Sequence, residues 1–347
     1  MRRRGLVGGA AMALLHARPA APQGRDLTVV SWGGTYQDIQ RDVFFRPWMT
    51  SRGQRMLEET WHGGLPVLRE RATSGANTWD VVLVEGAELL IGCAEGLFEP
   101  LDWDAIGGRD AYMPEAVAEC GVGAAIHATV LAWDRDRLRT APRGWADLFD
   151  IARFPGRRAL RRGPKFNLEI ALLADGVAAA QVYALLATGA GVERALRRLD
   201  TIRHDLVWWE RGSQPPQWLA AGEVVLAAAD NGRVAAANAE DGRDLGMVWD
   251  GNLSWMDFWA IMRGTPNRPR AQDFLNLAGQ AAVQATLPAR MPYGVTARGA
   301  MAALPSPVLA TLPTAPARAA AALPVDDRFW STRMEPLTRR FEEWMHR

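Results

Sequence analysis

The sequence predicts an α/β chain folded into two lobes, with two extended segments crossing between them and a ligand cleft at the crossing. Three observations carry that expectation. Short β-like runs alternate with helical stretches, the pattern of helices layered on largely parallel strands. The chain has 347 residues, more than one core comfortably organises. Two apolar runs, residues 121–133 and 246–262, are each long enough to leave one lobe and enter the other.

The elements follow in order. Leu27–Ser31 reads as a strand and Trp32-Gly-Gly as a turn, and Thr35 opens a helix with Asp38 three residues on, a capping-box-like spacing. Asp80-Val-Val-Leu-Val is a buried strand leading into Glu85-Gly and a second helix. Past Asp134, helices are expected near residues 145–149, 167–174 and 191–199, with strands at 206–209 and 224–229. Residues 270–284 read as helix, 301–324 as an irregular Ala/Pro-rich connection, and 330–346 as an amphipathic closing helix. Lobe 1 is then residues 25–133 plus 257–300, and lobe 2 is 134–256 plus 301–347.

Residues 1–24 read as an export signal: Met1-Arg-Arg-Arg-Gly is a positive start, residues 6–15 a short apolar run, and Ala17-Arg-Pro-Ala-Ala a small-residue end. The arginines leave a twin-arginine route open beside the general one, and the periplasm is the expected destination. Forty basic and thirty-nine acidic side chains nearly cancel; loss of Arg2, Arg3, Arg4 and Arg18 leaves a small acidic excess, against a nucleic-acid partner. No run reaches the ~18 apolar residues of a membrane span. Cys93 and Cys120 are the only cysteines. An oxidising compartment favours their pairing, which contributes about 3 to 4 kcal/mol in the chain-entropy view. Two buried thiols are the alternative. Without C-x-x-C spacing the two cannot build a zinc site, and no metal or cofactor is expected.

Hydrolase, kinase and dinucleotide-enzyme readings lose their usual support, because H-E-x-x-H, G-x-S-x-G, Walker A and G-x-G-x-x-G sequences are all missing. What remains is the second crossing, Ser254-Trp-Met-Asp-Phe-Trp259. Strand side chains alternate, so Trp255, Asp257 and Trp259 share one face. A carboxylate between indoles there offers a counter-charge and π-faces to a ligand ammonium; facing the core, it would need a protein partner instead.

Ser31-Trp-Gly-Gly-Thr-Tyr36, Asp80-Val-Val-Leu-Val-Glu85-Gly, Trp208-Trp209, Asn231-Gly232-Arg233, Trp255-Met-Asp257 and Pro292-Tyr293-Gly294 resemble, in order along the chain, the solute-binding proteins of ABC importers, nearest the spermidine/putrescine-binding type. The resemblance implies a periplasmic-binding-protein fold of the two-crossing type (type II), a non-enzymatic monomer that closes on a small cationic amine and presents it to the permease's transmembrane subunits. It implies a ligand box of Trp32, Tyr36, Glu85, Glu169, Asp230, Trp255, Asp257 and Tyr293, with Asp257 and Glu169 holding ammonium groups. Two positions depart from the pattern: Asp230 stands where that branch carries a ring, and Glu85 where small or aromatic residues are common. Members of the box also have plainer roles, Glu169 as a first-turn helix acid and Asp230 as a helix N-cap. Arg233 raises a rival within the same fold, since a guanidinium at a helix start suits a carboxylate and hence an amino acid or 4-aminobutyrate-like zwitterion. A carbohydrate hydrolase using Glu85 and Asp257, and a receptor that signals occupancy without transport, are more distant alternatives.

Overall fold

The computed structural model describes residues 25–74 and 77–347; the expected export signal, residues 1–24, lies outside them. Nine strands are present among the described residues: β1 (Leu27–Ser31), β2 (Met56–Thr60), β3 (Val81–Glu85), β4 (Gly121–Asp134), β5 (Arg158–Arg161), β6 (Leu206–Trp209), β7 (Leu226–Asp230), β8 (Leu245–Ile261) and β9 (Leu323–Pro324). They form one sheet in the order β2-β1-β3-β8-β4-β7-β5-β6, with β9 added along β8. The periplasmic-binding-protein fold is thereby realised. β1, β2 and β3 run parallel in one lobe and β5, β6 and β7 in the other, while β4 and β8 pair antiparallel through both.

Period-two alternation builds the cores. In β1, Leu27 and Val29 face one apolar layer and Val30 the opposite one; in β3, Val81 and Leu83 join the first and Val82 and Val84 the second. In the other lobe Leu131 and Leu160 pack under one helical layer and Ala132 and Ala159 under the other. Both faces are covered, so these strands read as continuous apolar runs. Cys93, near the end of the helix Gly86–Ala94, is disulfide-bonded to Cys120 just ahead of β4, with their Cα atoms 5.7 Å apart.

Local details differ from the sequence reading. The first helix is Gly34–Gln40, capped at Gly33 with no side-chain bond, because Gly33 and Gly34 adopt φ values of 67° and 58° that reach the left-handed region a glycine favours. The capping box forms instead at Glu85 and Glu88, at the head of the helix Gly86–Ala94. The Ala/Pro-rich stretch carries short helices, Ser306–Leu309 and Pro316–Ala320, before β9. The closing helix starts earlier than expected, as Asp327–Met345 capped by Asp326.

Candidate ligand-binding site

The polar groups of the site gather at the carboxyl ends of the parallel strands, where an open α/β sheet presents its ligands. Trp32 follows β1, Trp61 follows β2, Glu85 ends β3, Arg161 ends β5, Trp209 ends β6 and Asp230 ends β7. The crossing strands supply the floor through His127 of β4 and Trp255 and Asp257 of β8, which pair in register as Ala125 with Asp257 and His127 with Trp255. All of these except Asp257, together with Tyr36, Arg233 and Tyr293, line a cleft with about 50 Å³ of free space.

Asp257 is fully buried behind this floor. Its Oδ1 accepts from the Ala125 amide at 2.9 Å, which a register shift between Gly123 and Ala125 sets toward the side chain. Its Oδ2 accepts from Trp32 Nε1 and Tyr36 Oη, both at 3.3 Å. His127 Nε2 lies 3.0 Å from the same oxygen without the alignment of a hydrogen bond. The His127 ring stacks on Trp255 at 4.2 Å and packs tilted on Tyr293 at 4.0 Å. Burial, followed by the Asp257 charge, raises the Tyr36 hydroxyl well above its ordinary range, so it remains a donor. Asp257 therefore fixes two rings of the box and already has protein partners for its lone pairs.

Glu85 bridges the lobes. It pairs with Arg161 and, at 2.9 Å, with Lys165, which also reaches Asp327 at 3.3 Å. Burial works against the Glu85 charge, but the two cations outweigh it and hold the carboxyl down to about 2. Burial likewise opposes the Lys165 ammonium, yet Glu85 and Asp327 bring it up to about 12. Phe166, at φ 71° beside Lys165, is the one non-glycine residue at positive φ among the described residues. Across the cleft, Arg233 donates to the Gly33 carbonyl at 2.9 Å and lies 5.8 Å from the Tyr36 ring centre.

Asp230 and Arg233 share a distinct condition: among the described residues neither has an ion-pair partner. Asp230 accepts only from Thr129 Oγ1 at 3.4 Å, and burial raises its carboxyl pKa despite the nearby positive groups. Arg211 also lines the cleft without an ion pair among the described residues.

Of the residues expected in the ligand box, Trp32, Tyr36, Glu85, Asp230, Trp255 and Tyr293 line the cleft, and Asp257 supports it from behind. Glu169 requires correction. It is fully buried beneath the closing helix, accepting from Trp330 Nε1 at 2.6 Å and Tyr183 Oη at 3.1 Å, and burial pushes its carboxyl up to about 7. An indole from 161 positions away covers the helix face that the sequence left open. Of the tryptophan pair, Trp209 faces the cleft and Trp208 packs on Phe341 and Trp344. Sequence reasoning passed over Trp61, His127, Arg161 and Arg211. The signal for Trp61 and Arg161 was their place directly after or at the end of a strand, but β2 and β5 are short and charged enough to hide as strands.

Two lobes joined by a pair of crossing strands, with rings and charges of both signs closing over a small cleft, define a two-lobed solute-binding protein. The chain belongs to the bacterial extracellular solute-binding protein family, whose profile it matches over residues 58–317. It is a binding component of ABC import rather than an enzyme. It is 43% identical over 334 residues to the gamma-aminobutyric acid-binding protein of Pseudomonas aeruginosa, covering 96% of this chain and 95% of that one. Its structure is similar to the Atu4243-GABA receptor, with a TM-score of 0.80, 30% identity, and coverage of 92% of this chain and 98% of that one. The spermidine/putrescine-binding protein PotD of Streptococcus pneumoniae, at TM-score 0.70 and 15% identity over 92% of this chain and 99% of that one, shares the fold alone.

Proposed function

We propose that the protein binds a short zwitterion, an ω-amino acid of the 4-aminobutyrate kind, in the periplasm and delivers it to the transmembrane subunits of an ABC permease. The observation that carries this reading is a pair of opposite charges, Asp230 and Arg233, without ion-pair partners among the described residues, on one wall of a small ring-lined cleft. An ammonium satisfies the first and a carboxylate the second, each through a charge-assisted hydrogen bond. The two gamma-aminobutyric acid-binding relatives support the same ligand class.

A polyamine fits less well. A second ammonium would enter among Arg161, Arg211 and Arg233, Glu169 is under the closing helix, and Asp257 already has protein donors. Calorimetry with 4-aminobutyrate, β-alanine, putrescine and spermidine tests the reading. Micromolar binding of 4-aminobutyrate, about −8 kcal/mol, is expected, with the polyamines roughly a hundredfold weaker or more. Tightest binding by putrescine or spermidine would restore the polyamine reading.

A further inference from the structure

We propose that Gly212 sets the length of zwitterion the cleft accepts, by leaving bare the wall against Asp230 and Arg233. The inference rests on the zwitterion reading above. Gly212 lines the cleft in the loop between β6 and the helix Gln214–Ala221. Neither conformation nor packing demands a glycine there: its φ lies outside the left-handed region, and an added methyl would meet no atom closer than 3.4 Å. That methyl would touch Arg233 Nε and Asp230 Oδ2 at 3.4 Å each and Arg233 Cγ at 3.8 Å. The missing side chain thus corresponds to free volume lying against both Asp230 and Arg233.

None of the three walls can readily retreat. The loop is clamped by Gln214, whose Oε1 accepts from the Glu210 and Arg211 amides at 2.9 and 2.8 Å. Arg233 is tethered to the Gly33 carbonyl at 2.9 Å, and Asp230 ends β7 with its backbone in register with Thr129. In a cleft of about 50 Å³, a methyl displaces about as much ligand as one methylene occupies. A one-methylene mismatch in a closed pocket changes selectivity by roughly tenfold or more.

The test is calorimetry on the full chain and on Gly212→Ala, each with 4-aminobutyrate and with β-alanine, one methylene shorter. The expected result is a preference for the longer ligand that falls at least tenfold in the variant, while Tm without ligand is unchanged. Equal affinities in variant and parent, or an equal loss for both ligands, would overturn the role of Gly212 and leave the zwitterion reading standing. A parent protein that binds neither ligand would overturn that reading and this inference with it. Gly212→Val should exaggerate the shift; a variant that follows Gly212→Ala without further loss of the longer ligand also counts against a size gate.

Discussion

The two walls of the cleft treat their charges in opposite ways. On the β3 and β8 side, Asp257 accepts from an amide, an indole and a phenol, and Glu85 is held by Arg161 and Lys165. On the β7 side, Asp230 and Arg233 are without ion-pair partners among the described residues and face a loop whose nearest residue has no side chain. Charge satisfied by the protein shapes the cleft, whereas charge left unsatisfied is available to a ligand. An acid among rings is therefore poor evidence of a ligand counter-charge until its own partners are known, because a buried carboxylate needs some partner in any case.

Breaking the satisfied wall should have the largest effect. Glu85→Gln leaves Arg161 and Lys165 without their shared carboxylate, and a loss of about 3 kcal/mol is expected in urea unfolding, since removing one partner strands buried charge. The pH dependence has a definite sign. The folded-state carboxyl sits at about 2 against an ordinary 4.5, so its stabilisation is present above pH 4.5 and is lost as pH falls toward 2. Loss of the acid-side slope in Glu85→Gln checks this by thermal unfolding.

Next in size are the unsatisfied charges. Asp230→Asn and Arg233→Ala should each weaken 4-aminobutyrate roughly tenfold to a hundredfold, the worth of a hydrogen bond to a charged group, with little change in unfolding for Asp230→Asn, whereas Arg233→Ala also loses the bond to the Gly33 carbonyl. Asp257→Asn gives the contrast, because its carboxylate acts by holding Trp32 and Tyr36: affinity should fall less than in Asp230→Asn, while Tm falls more. The reverse ranking by calorimetry and thermal unfolding would collapse the distinction between the walls.

Glu169 tests the same principle away from the cleft. Burial raises its folded-state carboxyl to about 7, so the contribution of this group to stability is greatest below the ordinary 4.5 and is lost as pH rises through 7, at a slope of at most about 1.4 kcal/mol per pH unit. Glu169→Gln keeps an acceptor for Trp330 and should remove that slope in unfolding measured between pH 5 and 8. The smallest effect belongs to the exposed rim, where Thr35 Oγ1 donates to Glu240 across the lobes at 3.3 Å; Thr35→Ala should change ligand affinity less than about twofold.

Much of the frame was legible because it depends on local pattern. The two crossings are apolar runs too long for ordinary strands, and the shared face of Trp255 and Asp257 follows from strand alternation alone. The Gly33-Gly34 turn followed from composition, although its cap did not, since Thr35 falls inside the helix rather than at its N-cap. β2 and β5 escaped notice for physical reasons. β2 is a half-exposed edge carrying Glu58 and Glu59, and β5 begins with Arg158, whose fully buried guanidinium donates to the Leu148 and Asp150 carbonyls. With them went Trp61 and Arg161.

The sequence by itself determined the alternating layers, the crossing pair and the residue types near the strand ends, because periodicity and strand polarity are properties of short segments. Only the tertiary structure decided which charges meet. Glu169 is covered by Trp330, Glu85 is neutralised by Arg161 and Lys165, and Asp230 and Arg233 are left without ion-pair partners among the described residues, beside a bare glycine. Those outcomes depend on side chains brought together from tens to hundreds of residues apart, and electrostatic pairing acts through distance in space rather than along the chain.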